Sequence, residues 1–494
     1  MGNSINNIVK KIVKYILFCT LGAGIFVCIQ NVFLPKYEDD TVMSNYDRDY
    51  RELYELEKES IDVLAIGNST FLSGIDPMYI WGECGIPVFN RSTAGMPLAL
   101  MEYFLYDALE FHSPKVVILN AQGLDKNWNA VLGQEGLEMR NKAIESMPWG
   151  KAKLQAVKKM EDLYLNVDAI SYFFPLLTYH SRWKDITASD FQNYERSQQD
   201  YYLKGYTAVF DIYEGADWDL EEISPNGIKE ENLAYYDRMI KYCKDKDIEV
   251  VLLAMPNSLM SLNKIQQLTE YAEKMGVTFW DFNQIYYETG FSAKICYTDM
   301  GRHLNYWGSS IVSKYLGKWL VEQYGLENKK TYVEYRKWNE DYQRYSTLIE
   351  REVKSVELSK TDDINECIEI IQSTEDYIVT LILSNGYMGE SIHKVENILN
   401  LFQGSKNPVE NGQYIAVYDE NELVYEESQE SKFSVTQFGD TVDGFNVHVA
   451  STGRMANSKS SVIINNHSAA QTDGFHLVVY DKILDRFVCD RIIE

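Results

Sequence analysis

Between residues 61 and about 325, short unbroken apolar runs alternate with longer stretches in which apolar residues recur every three or four positions. IDVLAIG (61–67), PVFNRS (87–92), KVVILNA (115–121), IEVVLLAMP (248–256) and TFWDFN (278–283) are runs of the first kind. Strands of a parallel sheet covered on both faces read this way, because neither side meets water. NKIQQLTEYAEKMG (263–276) is of the second kind, an amphipathic helix with Gly276 at its end. HLNYWGSSIVSKYLGKWLVEQYG (303–325) closes the unit as another helix. The alternation predicts an α/β fold built on a parallel sheet. From about 126 to 235 the rhythm breaks into a stretch rich in Trp, Tyr and Phe and helical by period, predicted as an insertion near the open end of the sheet.

After residue 346 the pattern changes. DYIVTLILS, GQYIAVYD, ELVYEES, FNVHVAST, SSVIINNH, GFHLVVYD and RFVCDRII are short alternating segments separated by Gly, Asn, Asp and Ser, interrupted by one helical stretch, HKVENILNLF. Such spacing predicts a compact β-rich, sandwich-like domain over residues 365–494. The join around residues 347–364 is charged and holds no glycine or proline, which predicts a helical linker.

At the N-terminus, YILFCTLGAGIFVCIQNVFL (15–34) carries no charge. Twenty helical residues span roughly 30 Å, the thickness of a bilayer's hydrocarbon core. Lys10, Lys11 and Lys14 precede the run, and Glu38, Asp39 and Asp40 follow it after Lys36. The positive-inside rule then predicts a single-pass protein of the cell membrane, with residues 1–14 cytoplasmic and residues 35–346 opening an extracytoplasmic part. The length of the run and the lack of a small-x-small cleavage site favour a retained anchor over a cleaved signal. Such an anchor is expected to contribute to neither predicted core, so deletion of residues 1–35 is expected to release a soluble, folded protein.

Charge and cysteine usage narrow the functions. A net charge of −26 over 494 residues offers no basic surface for nucleic acid. The seven cysteines form no CxxC pair, so no metal site is expected, and no motif implies a cofactor. Cys367 and Cys489 lie near the two ends of the β-rich part, where a disulfide and two buried thiols are both compatible with the sequence.

The first run ends in Gly67-Asn68-Ser69-Thr70. A serine there either caps the next helix or faces the crevice at the carboxyl edge of the sheet, where ligands bind. A serine nucleophile needs a base and oxyanion donors. YTDMGRHLNYWG (297–308) supplies His303 and Asp299 just before the last helix. FNRSTAGMP supplies the Gly95 amide, and ILNAQGLD supplies Asn120 and Gln122. Each also has a plain structural role available: His303 as a helix cap, Gly95 as a turn former. Asn68 beside the serine, and His180 and Arg182 in YHSRW (179–183), are the candidates to bind substrate; the last two suit an anionic or sugar substrate, or simply an aromatic helix surface.

IGNS near the start, a glycine turn, a polar residue after the third strand and D…HLN..G near the end together resemble the SGNH hydrolase family. GIDP soon after the serine, YHSRW, DFN before the histidine motif and the anchor resemble its membrane-bound DltD-like branch, with alginate O-acetyltransferases more distant. The likeness covers residues 1 to about 346 and implies a flavodoxin-like sheet. It implies Ser69 as nucleophile, His303 as base, Asp299 as its orienting acid, and Gly95 and Asn120 in the oxyanion hole beside the Ser69 amide. Two positions depart from the pattern: Asn68 stands where the family has Asp, and Asp299 lies four rather than three residues before the histidine. The resemblance implies an extracytoplasmic acyl esterase or O-acyltransferase acting on a cell-envelope glycan or teichoic-acid-like polymer beside an MBOAT-type membrane acyltransferase. The two departures keep a second reading open, a catalytically inactive, membrane-tethered glycan-binding or assembly module. DYIVTLILSNGYMGE and GFHLVVYDKILDRFVCDRI resemble the ILEI-type domain, which implies binding or positioning.

Overall fold

The computed structural model describes residues 2–33, 48–124, 144, 147–164, 168–191, 202–215, 227–257, 260–386, 392–469 and 473–493. Lys36, Glu38, Asp39 and Asp40 lie outside the described residues, as do residues 126–143, 192–201 and 216–226 of the insertion. The chain divides into two compact units, Met1–Tyr345 and Ser346–Glu494.

In the first unit, strands β1 (Val63–Ile66), β2 (Val88–Asn90), β3 (Val116–Asn120), β4 (Glu249–Ala254) and β5 (Thr278–Asp281) form a five-stranded sheet in the order β2-β1-β3-β4-β5. Every pairing is parallel, with Leu64 opposite both Phe89 and Val117, and Leu252 opposite Phe279. β1, β2 and β3 are buried throughout, which is why they read as unbroken apolar runs. On one face Val63, Ala65, Ile118, Val251 and Leu253 pack with Ile80 and with Val312, Leu316 and Leu320 of helix Tyr306–Tyr324. Each of the Val, Leu and Ile side chains contributes about 1.5–3 kcal/mol on full burial. The order is the flavodoxin-like one, whose switch point lies between β1 and β3, and the chain reaches Ser69 three residues after β1 ends.

The described parts of the insertion are helical: Lys151–Leu163, Ala169–Phe173, Pro175–Tyr179 and the 3-10 turns His180–Lys184 and Ala188–Phe191. The N-terminal helix runs over Gly2–Phe33, and its Lys10–Gln30 stretch, with mean hydropathy 2.2, is long and apolar enough to cross a membrane. Its last turns are not independent of the rest of the unit. Gln30 Oε1 accepts from the Leu176 amide at 2.7 Å, and Phe26 meets Phe174 with ring centroids 5.8 Å apart. Arg182 donates to the Phe33 carbonyl at 2.9 Å and to Asp190 at 2.8 Å. Residues of this helix enter neither apolar core, as the sequence predicts, but a half-buried polar tie joins the helix end to residues 174–190.

In the second unit, β6 (Tyr377–Ser384), β7 (Gln413–Asp419), β8 (Glu422–Gln429), β13 (Gly474–Asp481) and β14 (Arg486–Ile493) form an antiparallel sheet ordered β14-β13-β6-β7-β8. β9 (Val435–Val442), β10 (Phe445–Thr452), β11 (Ser461–Ile464) and β12 (His467–Ser468) form a second, ordered β12-β11-β10-β9. Ile378, Ile382, Ile415 and Val417 of the first share one core with Val447, Val449, Val462 and Ile464 of the second, as in a sandwich. Helix Arg336–Lys360 occupies the stretch for which composition predicts a helix. Cys367, on helix Ile364–Gln372, and Cys489, on β14, are buried free thiols.

Asp76, in the turn after the serine loop, is fully buried and caps helix Pro77–Cys84 through the Tyr79 amide at 3.0 Å. Burial pushes its carboxyl up to about 7, against hydrogen bonds from Tyr345 and the Tyr79 and Met78 amides; the nearby Tyr206, Tyr306 and Tyr345 hydroxyls are pushed up as well. An acid that holds its proton more tightly when folded favours the folded state at low pH, and that contribution is lost as pH rises from about 4 to 7. Asp76→Asn should flatten this part of the stability–pH curve, measured by urea unfolding between pH 4 and 8. A chain lacking residues 1–33 should retain cooperative unfolding of the sheet but become cleavable by protease within residues 169–191, read by limited proteolysis and mass spectrometry.

Candidate active site

β1 ends at Ile66, and at Gly67 the chain passes close beside β3. A Cβ at Gly67 would stand 2.7 Å from the Asn120 Cβ and 2.8 Å from the Phe71 ring, so no larger residue fits without displacing them. Asn68 follows in an extended conformation, and its Oδ1 accepts from the Thr70 amide at 3.0 Å. The helix cap is thus Asn68. Ser69, the first residue of the one-turn helix Ser69–Leu72, has its hydroxyl left for another partner, His303 Nε2 at 2.8 Å.

His303 sits in a tight turn closed by the antiparallel bridge between Tyr297 and Leu304, with the Thr298 amide donating to the His303 carbonyl at 3.1 Å. Gly301 adopts φ +81°, a left-handed conformation that suits glycine, and its amide bonds the Asp299 carbonyl at 2.7 Å. The turn folds back on its own acid: Asp299 Oδ1 accepts from the amides of Arg302 (2.9 Å) and His303 (3.0 Å), and Oδ2 lies 2.6 Å from His303 Nδ1. The four-residue spacing is absorbed in this way. Partial burial works to raise the Asp299 pKa, but the His303 and Arg302 amides and the His303 ring together hold it below the usual carboxylate value. An ionised Asp299 fixes the proton on Nδ1, which leaves Nε2 to accept from the Ser69 hydroxyl.

Three asparagines brace the turn. Asn305, fully buried, caps helix Tyr306–Tyr324 through the Gly308 amide, while its Nδ2 donates to the carbonyls of Ile295 (2.7 Å), Asp211 and Tyr297 (both 3.2 Å). Asn257 donates to the Arg302 carbonyl at 3.3 Å, and Asn283 ties the Asn257 amide (2.9 Å) and the Met255 carbonyl (2.9 Å) to β5 through Asp281. Sequence reasoning missed Asn257. DFN and HLN stood out as motifs, but the bracing roles of Asn283 and Asn305 were not legible in them.

Asn120 lies buried at the end of β3. Its Nδ2 donates to Thr70 Oγ1 at 2.8 Å and more weakly to Asn68 Oδ1 at 3.4 Å, while its Oδ1 accepts from the Gln122 amide. The single Thr70 hydroxyl proton is shared between Asn68 Oδ1 (2.8 Å) and Gln122 Oε1 (2.9 Å). In this structure, then, Asn120 braces the serine loop. Gly95 is exposed at φ +62° in the loop after β2, which the Arg91 and Thr93 amides lay against the Ala65 and Gly67 carbonyls. The structure brings Ser69, His303 and Asp299 together, with Asn68 and Asn120 against the serine loop. It does not bond His180 or Arg182 to them: His180 Nδ1 contacts the Leu177 carbonyl, and Arg182 is held by Phe33 and Asp190. Among the described residues, Asp419, Glu420 and Asp443 are spaced to hold a metal, but Lys482 Nζ already lies 2.7–3.1 Å from all three.

Sheet order and a hydrogen-bonded Ser–His–Asp chain at the switch point define the class, a flavodoxin-like α/β protein with this chain at the carboxyl edge of its sheet. No protein-family description and no curated protein matches the sequence. Among solved structures, one named "putative acylhydrolase" from Bacteroides fragilis is 12% identical, with 58% of this chain and 99% of that chain covered at a TM-score of 0.28. Another, named "putative lipolytic protein of G-D-S-L family" from Desulfitobacterium hafniense, is 12% identical, with 52% and 97% covered at a TM-score of 0.25. A likeness at that level says nothing of chemistry.

Because Asn68 and not Ser69 caps the helix, Asn68→Ala should lower stability by about 1 kcal/mol or more. Ser69→Ala should cost less than Asn68→Ala, because the half-buried Ser69 hydroxyl caps nothing and bonds only His303. Urea denaturation of the two variants checks the contrast.

Proposed function

We propose that the chain is a serine acyl-transfer enzyme, an esterase or O-acyltransferase working through an acyl-enzyme on Ser69. The observation that carries this reading is the chain from Ser69 Oγ through His303 to Asp299, with both links within hydrogen-bond distance. Ser69 Oγ attacks the acyl carbonyl while His303 Nε2 takes its proton, and Asp299 stabilises the imidazolium that forms. The oxyanion is met by the Ser69 amide, which has no acceptor within its own helix, and by Gly95. His303 then protonates the leaving oxygen, and water or a sugar hydroxyl completes the transfer.

The finer reading follows from the order of the sequence motifs and from the apolar helix Gly2–Phe33. The helix anchors the enzyme in the cell membrane with the catalytic unit outside, as in the DltD-like branch of the SGNH hydrolases. There it acts on a cell-envelope glycan or teichoic-acid-like polymer beside an MBOAT-type acyltransferase. In this proposal the β-sandwich, ILEI-like in texture, binds or positions the polymer. One observation favours the inactive, membrane-tethered module instead: the Asn120 amide is engaged by Thr70 and Asn68 and not presented to an oxyanion.

The full chain should hydrolyse an aryl acetate, since water can replace the sugar hydroxyl at the acyl-enzyme. Ser69→Ala should abolish this activity, and His303→Ala should lower kcat/KM by several orders of magnitude. Failure of a serine-reactive phosphonate to label Ser69, with the acyltransferase partner present, would exclude the enzyme and leave the binding module.

A further inference from the structure

The last turns of the N-terminal helix and residues 186–191 enclose an apolar groove of about 830 Å³, lined by Leu17, Leu21, Ile25 and Phe33 on one side and Ile186 and Phe191 on the other. From Phe33 down to Leu17 it follows the helix for roughly 24 Å at 1.5 Å per residue. Its one hydroxyl, Thr20, is already bonded to the Ile16 carbonyl at 2.9 Å, so the wall offers little to a polar ligand. Phe191 is 70% exposed, and in the same segment Ile170, Leu177 and Trp183 are exposed by 49%, 54% and 66%. Contiguous apolar surface of this kind marks an interaction site.

We propose that residues 169–191 and the outer end of the N-terminal helix form a platform seated in the membrane surface, with a phospholipid acyl chain filling the groove between them. This rests on the proposed reading of the helix as a membrane span. If Lys10–Gln30 crosses the hydrocarbon, Gln30 and Phe33 stand at the lipid–water boundary, and their bonds to Leu176 and Arg182 hold the platform at that depth. The side chains suit it. Trp183 is the aromatic type found at headgroup level, and Lys184, with Nζ 5.7 Å from the Trp183 ring, supplies a cation where lipid phosphates lie. The groove wall is nearly without polar groups and is continuous with the span, which favours an acyl chain over a peptide. Arg182, by residue type a candidate for substrate, is here the clasp between span and platform, paired with Asp190.

The test uses the full chain in vesicles of phosphatidylcholine and phosphatidylglycerol, with p-benzoylphenylalanine replacing Phe191, Phe18 or Tyr287 in turn. Phe18 is an exposed residue of the apolar helix, and Tyr287 is an exposed residue outside both helix and platform. After irradiation, intact mass should rise by one phospholipid at positions 191 and 18 and be unchanged at 287. Gly24→Trp should suppress the adduct at 191 and spare that at 18, because Gly24 lines the groove and has open space where a side chain would go. An adduct at 18 without one at 191 overturns the platform and leaves the span standing. No adduct at either position overturns the span reading itself. A dimer-sized product at 191 shows that a second copy of the chain covers the groove, and it too overturns the proposal.

Discussion

Where the strands of a buried parallel sheet end, their backbone donors and acceptors lose ladder partners while still shielded from water, and every such group must find another partner. At the carboxyl edge of this sheet many of the partners are side-chain amides, beside the Thr93 amide on the Gly67 carbonyl and the Tyr236 hydroxyl on the Asn120 carbonyl. Asn68 and Asn120 close the ends of β1 and β3, Asn283 joins the ends of β4 and β5, and Asn257 and Asn305 carry the bonding on to the histidine turn. Neutral amides suit the task because each both donates and accepts, so one residue can satisfy two or three stranded groups without burying a charge. Ser69 and His303, 234 residues apart in sequence, are brought to 2.8 Å by two loops fixed in this way.

The same constraint explains the two departures from the family pattern. Asp299 bonds the backbone of its own turn before it bonds the imidazole, so the position of the acid is set by the turn and tolerates one extra residue provided that Gly301 can adopt its left-handed conformation. Asn68 faces Thr70 and Asn120, and its carbonyl oxygen accepts every contact it makes there. An acid in its place would accept the same bonds while adding a second negative charge to a site that already holds Asp299.

The strands, the two long helices and the Ser–His–Asp order were legible because they depend on local chemistry: apolar runs, caps, and residue types in a workable sequence. β9 was not. Only Thr436 and Val442 of its eight residues are buried, and Gly439 and Asp440 interrupt its alternation, so it is a strand chiefly because β10 pairs with it along its whole length. The direction of the Asn120 amide was equally hidden. A polar residue at the end of β3 serves an oxyanion or a neighbouring loop equally well until the position of Thr70 is known. Arg182 misled for a related reason: a guanidinium beside aromatic residues suits a substrate by type, and only the tertiary fold reveals that the Phe33 carbonyl and Asp190 hold it.

On the proposed reading, the anchor has a chemical consequence as well as a topological one. A tethered site meets membrane-bound acyl donors at an effective concentration set by geometry, so it can act with weak intrinsic affinity for the donor. A partner that delivers the acyl group to the membrane surface would reinforce this. The choice between hydrolysis and transfer then lies with the acceptor. Water reaches any open acyl-enzyme, and Ser69 and His303 are both only half-buried. Transfer therefore requires the polymer hydroxyl to be held against the site long enough to outcompete water, a task of orientation worth several kcal/mol when reactants are well aligned. Nothing in the Ser–His–Asp chain can supply that orientation. On that reading it must come from groups that bind the polymer.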